Sequence, residues 1–172
     1  DDASIFGDEY TISKVLAAVA KMEPYDVILA GHMSVDDGAA QIGPRLAEEL
    51  AIPHISTITK LTVEEGKVTA EKDVEGDVET IEVAMPVLLT AQQGLNVPRY
   101  PTLPGIMRAK KKTIERLTIE DLTINHDDID SKTEVLSQYV PPQKNPGKVL
   151  EGELAQQTAQ LVDLLRNEAK VV

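Results

Sequence analysis

The segment Tyr25-Asp26-Val27-Ile28-Leu29-Ala30-Gly31 constrains this chain more than any other. It is a short, continuous apolar run closed by Gly, and it predicts a strand buried on both faces. A loop from His32 to Ala39 follows. Ile42, Leu46 and Leu50 then fall on one face of a predicted helix over about 40–50. Upstream, Tyr10, Ile12, Val15, Leu16, Val19 and Met22 predict an amphipathic helix over 9–22 with one buried stripe, ended by Pro24. Helix, strand, loop and helix in that succession belong to a parallel α/β sheet.

The pattern then changes to period two: Ile55, Thr57, Thr59; Val68, Ala70; Val78, Ile81, Val83. Glu65-Gly66 and Glu75-Gly76-Asp77 separate these runs, so an antiparallel hairpin or meander is predicted. After Pro86, the apolar run Val87-Leu88-Leu89-Thr90-Ala91 is placed to re-enter the main sheet. Three prolines within Pro98–Pro104 forbid a continuous helix or central strand there, and a short helix is predicted from about Pro104. Residues 123–149 are polar, with Pro141-Pro142 and Pro146-Gly147, and have too little apolar content for a second core. They are expected to form an extended arm. A last helix over about 151–170 carries Leu154, Leu161, Leu164 and Leu165. The expected layout is an α/β domain over 1–122 and an arm with a docking helix over 123–172.

Composition excludes several functions. No cysteine is present among the 172 residues, which removes disulfides, iron–sulfur ligation and thiolate zinc sites. With 17 Lys+Arg against 29 Asp+Glu the net charge is −12, which repels a nucleic-acid backbone. Four Tyr and one Phe leave little for base stacking, so no nucleic acid is expected as partner. No apolar run is long enough for a membrane span, and no basic segment followed by an apolar run marks a secretory leader. A soluble, cytoplasmic protein is expected. The start Asp1-Asp2-Ala3-Ser4, without an initiator Met, leaves open a processed chain, a truncated one or a fragment.

The loop Gly31 to Gly43 is the first candidate site. A loop that leaves the C-terminal end of a parallel strand and enters a helix is where α/β sheets bind ligands. Free N–H groups at the helix start suit a phosphate. Gly38, Ala39 and Ala40 would let a ligand approach the backbone, and Asp36 or Asp37 would accept from a ribose hydroxyl or an adenine amine. A capped helix start accounts for the same residues. Neither GxGxxG nor GxxxxGK[ST] occurs. The second candidate is the cationic cluster Arg108, Lys110, Lys111 and Lys112 beside a Pro-stiffened loop with Leu103 at its tip. It reads either as a helix C-terminus favoured by its dipole or as a protein-docking anchor. His32, His54 and His126 lack ligand spacing, Ser34 and Ser56 lack a nucleophile elbow, and no catalytic or metal centre is predicted.

Three motifs in order carry a resemblance. The stretch Ala70–Ile81, continued by Met85–Thr90, resembles the signature of the electron transfer flavoprotein beta subunit family. Leu95–Lys112 is similar to that family's recognition loop, and Gly31–Gly43 to its adenine-nucleotide-binding stretch. The resemblance implies a sheet of adenine-nucleotide-hydrolase-like topology with an antiparallel hairpin insertion and a C-terminal arm ending in a helix. It implies a heterodimer with an alpha subunit that carries a redox-active FAD, and an arm that wraps that partner. Gly31, Ser34, Val35, Asp36, Asp37, Gly38, Ala39, Ala40, Gln41 and Ile42 would then bind the cofactor. Leu103 would be the anchoring leucine inserted into a partner dehydrogenase, with Arg108, Lys110 and Lys111 as the basic run beside it.

The family divides by what its beta subunit holds. In the shuttle type it is AMP in a structural role, with electrons passing from acyl-CoA or related dehydrogenases to a quinone reductase. In the electron-bifurcating type it is a second FAD, with NADH as donor and ferredoxin among the acceptors. Ile42 before Gly43-Pro44 resembles the bifurcating pattern, because shuttle-type sites tend to place a hydroxyl there, and the resemblance therefore leans to FAD. The matched stretch begins part-way into the family's fold, so the family's N-terminal strands and helices are expected to be missing. Val97 stands where an acidic residue often precedes the following Pro. Two other classes remain open: a nucleotide-binding domain of the ATP-binding or stress-protein type without a redox role, and an assembly module that binds no nucleotide.

Overall fold

The structure is a computed structural model and describes residues 7–144 and 146–171. It divides into two compact units, Asp1–Glu134 and Val135–Val172.

In the first unit, helix α1 (Glu9–Ala20) leads to strand β1 (Val27–Gly31) and helix α2 (Ile42–Leu50). Strands β2 (His54–Glu64), β3 (Lys67–Val74), β4 (Asp77–Ala84) and β5 (Val87–Ala91) follow, and then the short helix α3 (Leu103–Ala109). The five strands form one mixed sheet in the order β1-β5-β2-β3-β4. β5 lies parallel to β1 and to the start of β2, while β2, β3 and β4 make an antiparallel meander. The predicted α/β class, the meander and the return of Val87–Ala91 to the main sheet all hold. The Glu75-Gly76 turn has both residues at positive φ, 49° and 97°, the geometry whose twist suits a two-residue hairpin.

β2 serves both halves of the sheet. His54 and Ile55 pair with β5, and from Ile58 onward the strand pairs with β3, with a register shift between. Thr57 at the shift has φ 60°, and its N–H donates to Thr90 Oγ1 at 3.0 Å. A bulge lets one strand turn from a parallel neighbour toward an antiparallel one.

The central strand β5 has Val87 through Thr90 wholly buried. Its alternate residues feed two clusters, as the pleat requires. Val87 and Leu89 pack with Ile55, Ile58, Val68 and Ala70. Leu88 packs with Ala17, Leu46 and Ala47 beneath α1 and α2. α2 reaches the sheet closely because it has Gly at position 43: a Cβ there would lie 2.5 Å from Thr90 Cγ2. Lys14 Nζ and Glu49 Oε2, 2.7 Å apart, join the two helices.

Two expectations are corrected. β1 is an edge strand among the described residues, pairing only with β5, and Leu29 is 60% exposed, so β1 is not buried on both faces. In α1 the buried positions are Thr11, Ser13 and Ala17, whereas Ile12, Leu16 and Val19 are exposed, as is Met22 just past the helix. Small side chains face α2 and the 3-10 turn His126–Ile129, because they allow close approach, and the apolar stripe is left outward. Ile129 is buried and its carbonyl accepts from Thr11 Oγ1 at 2.7 Å, which ties residues 126–134 to α1.

The second unit begins without regular structure and ends in helix α4 (Leu154–Asp163), extended by a π-helical turn, Leu164–Glu168. None of its described residues is buried, and Leu154 is among its exposed apolar side chains. Lys148 pairs with Glu168 at 3.1 Å. Among the described residues of the chain, no helix is long and apolar enough to cross a membrane.

Candidate functional site

β1 ends at Gly31, and the chain passes through the loop His32–Gln41 before α2 begins. A cavity of about 360 Å³ opens at this junction, at the C-terminal end of a parallel strand. Gly31, Ser34, Asp37, Ala39, Ala40, Gln41 and Ile42 line it. Val35, Asp36 and Gly38 do not: Val35 is fully exposed, and Gly38 serves the turn with φ 68°. Asp36 Oδ1 accepts from the N–H of Asp37 at 2.9 Å. Hydrogen bonds from the Ser34 hydroxyl and from backbone N–H groups hold Asp36 below the usual carboxylate range.

The start of α2 is arranged for an anion. Its N-cap residue, Gln41, makes no side-chain cap hydrogen bond. Instead Gln41 Oε1 accepts from Arg45 Nε at 3.0 Å and from Nη2 at 2.9 Å. The N–H groups of the first turn therefore lack a side-chain cap and carry the positive end of the helix dipole. Ala40 adopts φ 54°, a conformation costly for a residue with a Cβ, which turns the chain into the helix. A Cβ added at Gly31 or Gly38 would meet nothing within 4 Å, so the backbone there is open to a ligand. Small residues, open backbone and N–H groups without a side-chain cap leave room for a phosphate-bearing ligand.

Met33 and Gly43, inside the candidate loop but given no role of their own, and His32 also line the cavity, whereas Glu9 and Ala30 lie outside the predicted site. Glu9 enters from the first turn of α1, and no spacing connects it to the loop. Local desolvation, the Glu9 carboxylate beside it and the charge of Asp36 push the Asp37 carboxyl above its ordinary range.

The second candidate lies elsewhere on the first unit. Thr102 caps α3, its Oγ1 accepting from the Gly105 N–H at 3.2 Å, and this fixes the stiffened loop against the helix. Leu103 is 74% exposed, with Val97, Tyr100 and Met107 also exposed around it. Arg108 and Lys110 to Lys112 follow at the end of the helix, exposed, and none of them is in an ion pair among the described residues. Among the described residues no cluster of His, Asp and Glu is placed to hold a metal.

A mixed α/β sheet with a cavity beyond the C-terminal end of a parallel strand has the architecture of α/β domains that bind ligands there. Comparison with known proteins narrows it. The family model described as "Electron transfer flavoprotein domain" matches residues 1–122. The electron transfer flavoprotein subunit beta of Bacillus subtilis (strain 168) is 52% identical over 165 residues, covering 96% of this chain and 64% of the relative. The subunit beta of Thermoanaerobacterium thermosaccharolyticum is 34% identical over 171 residues, covering 97% and 66%. A mitochondrial subunit beta of Oryza sativa subsp. japonica is 37% identical over 161 residues, covering 94% and 60%. The chain belongs to the electron transfer flavoprotein beta subunit family. It spans about two thirds, or slightly less, of the length of these relatives.

Proposed function

We propose that this chain is the nucleotide-holding and partner-docking part of a heterodimeric electron transfer flavoprotein. The single observation that carries the reading is the cavity that gathers Gly31, Ser34, Asp37 and Ala39 to Ile42 at the uncapped start of α2. The phosphate is received by the N–H groups of the α2 first turn, and the open backbone at Gly31 admits the rest of the ligand. The ligand is FAD or AMP. Ile42 at the wall favours FAD, because AMP-holding members of the family tend to place a hydroxyl at that position. If FAD is bound here, it supplies redox chemistry of its own and the assembly bifurcates electrons from NADH. AMP would leave all redox chemistry to the flavin of the alpha subunit.

Leu103 is the docking residue toward an acyl-CoA or related dehydrogenase. An exposed leucine on a capped, proline-stiffened loop loses little conformational freedom on binding, and Arg108, Lys110 and Lys111 steer an acidic partner surface. The outward leucines of the second unit suit an alpha-subunit surface. Electrons then leave the assembly to a quinone reductase or ferredoxin, in the cytoplasm. The visible spectrum and nucleotide content of the purified heterodimer test this reading. Two flavins support FAD in this subunit and one flavin with AMP supports the shuttle type. A heterodimer with no nucleotide beyond the alpha-subunit flavin contradicts the reading and leaves an assembly module.

A further inference from the structure

The start of α2 rests on β5 through one close contact. Pro44 has no N–H, and the Arg45 N–H is bonded to the Gln41 carbonyl at 3.0 Å, which leaves the N–H groups of Ile42 and Gly43 as the donors of the first turn. Gly43 is helical, and alanine is the better helix former, so the glycine serves space and not flexibility. A Cβ there would lie 2.5 Å from Thr90 Cγ2 and 3.5 Å from Leu88 Cδ2. Thr90 is held where it is. It is wholly buried, and its Oγ1 accepts the Thr57 N–H at 3.0 Å, so another χ1 rotamer would orphan that donor. Thr57 in turn stands at φ 60° where β2 passes from β5 to β3, and bulges of this kind re-aim groups beside functional sites.

Building on the nucleotide reading of this cavity, we propose that Thr90 is its positioning residue, acting through Gly43. The Thr57 bulge fixes the Thr90 rotamer, and Thr90 Cγ2 fixes how closely Gly43 lies to β5. That distance sets where the Ile42 and Gly43 N–H groups stand. Thr90 itself is outside the cavity wall, so it reaches the ligand only by way of the helix. A Cβ at position 43 has to move about 1 Å to reach an ordinary carbon–carbon separation of about 3.5 Å. Binding groups tolerate a displacement of about 0.5 Å. The phosphate then loses at least one charge-assisted hydrogen bond, which weakens binding about tenfold or more.

Equilibrium dialysis of the heterodimer, freed of its nucleotide, against AMP and against FAD tests the proposal. It compares wild type, Gly43→Ala, Gly43→Ala combined with Thr90→Ser, and Val68→Ala. Serine lacks Cγ2 but keeps the hydroxyl that accepts from Thr57, so it removes the obstruction and spares the bulge. Gly43→Ala is expected to bind about tenfold more weakly, and the double variant to recover most of that loss. Val68→Ala lowers stability by truncating the meander core and should bind as wild type does, which separates placement from stability. Unchanged affinity in Gly43→Ala, an equal loss in Val68→Ala, or a double variant that stays weak or unfolded overturns the positioning role and leaves the reading of the cavity standing. Should Gly43→Ala fail to fold, the double variant decides alone. Binding of neither nucleotide by wild type overturns the reading and the positioning role together.

Discussion

The carboxylate of Asp8 caps α1 and clasps a distant segment at once. Oδ1 accepts from the Thr11 N–H at 3.0 Å, and Oδ2 accepts from the N–H groups of Lys132 and Thr133 at 2.7 and 3.0 Å. Tyr10 lies next to it with the ammonium of Lys132 5.0 Å from its ring. Desolvation raises the Asp8 pKa, but hydrogen bonds from Thr11, Lys132, Ser131 and Thr133 outweigh it and hold the carboxyl well below its ordinary 3.8. A carboxyl of lowered folded pKa contributes its full stability above the unfolded value and loses it as pH falls through the folded one. Asp8→Ala should therefore cost about 1–2 kcal/mol at neutral pH, with the gap to wild type closing below pH ~4. Urea midpoints across pH measure both. Gly43→Ala forces a Cβ against Thr90 and should cost about 1–2 kcal/mol net of the helix-propensity gain. Gly31→Ala meets no such neighbour, and the same denaturation series should find it within about 0.5 kcal/mol of wild type.

At the scale of elements, Thr90 couples packing to register. It is wholly buried on β5 and accepts the Thr57 N–H where β2 changes partners. Thr90→Val keeps the shape and orphans that N–H, so a loss of about 1–3 kcal/mol is expected from denaturant unfolding. The meander was legible because Glu65-Gly66 and Glu75-Gly76 are turn chemistry and the runs they separate are largely of period two. The loop at the end of β1 was legible because strand, small residues and helix follow one another in the chain. What covers a face was not legible. The stripe Ile12, Leu16 and Val19 shows which residues of α1 are apolar, yet Thr11, Ser13 and Ala17 meet the neighbours because their size permits it. Leu29 shows the same limit, since an apolar run does not reveal whether a second strand pairs with it. Glu9 in the cavity and Ile129 against Thr11 are contacts between distant residues, which no local periodicity records.

For the whole molecule, the proposed docking residue and the proposed nucleotide cavity lie in different places, and variants should separate them. Leu103→Ala removes an exposed side chain, so fold and nucleotide content should be unchanged while electron transfer with the partner dehydrogenase slows about tenfold or more. Stopped-flow reduction of the heterodimer by the dehydrogenase measures this, and unchanged kinetics would remove Leu103 from the docking role. The cavity beyond β1 is proposed to hold an adenine nucleotide. Its most direct test is the amount of AMP and FAD released on denaturing the heterodimer, for wild type and for Ala39→Trp, which fills the cavity wall. The predicted result is one adenine nucleotide per heterodimer beyond the alpha-subunit flavin in wild type and its loss in the variant, with far-UV circular dichroism unchanged. Wild type without that nucleotide, or a variant that keeps it in full, would contradict the account.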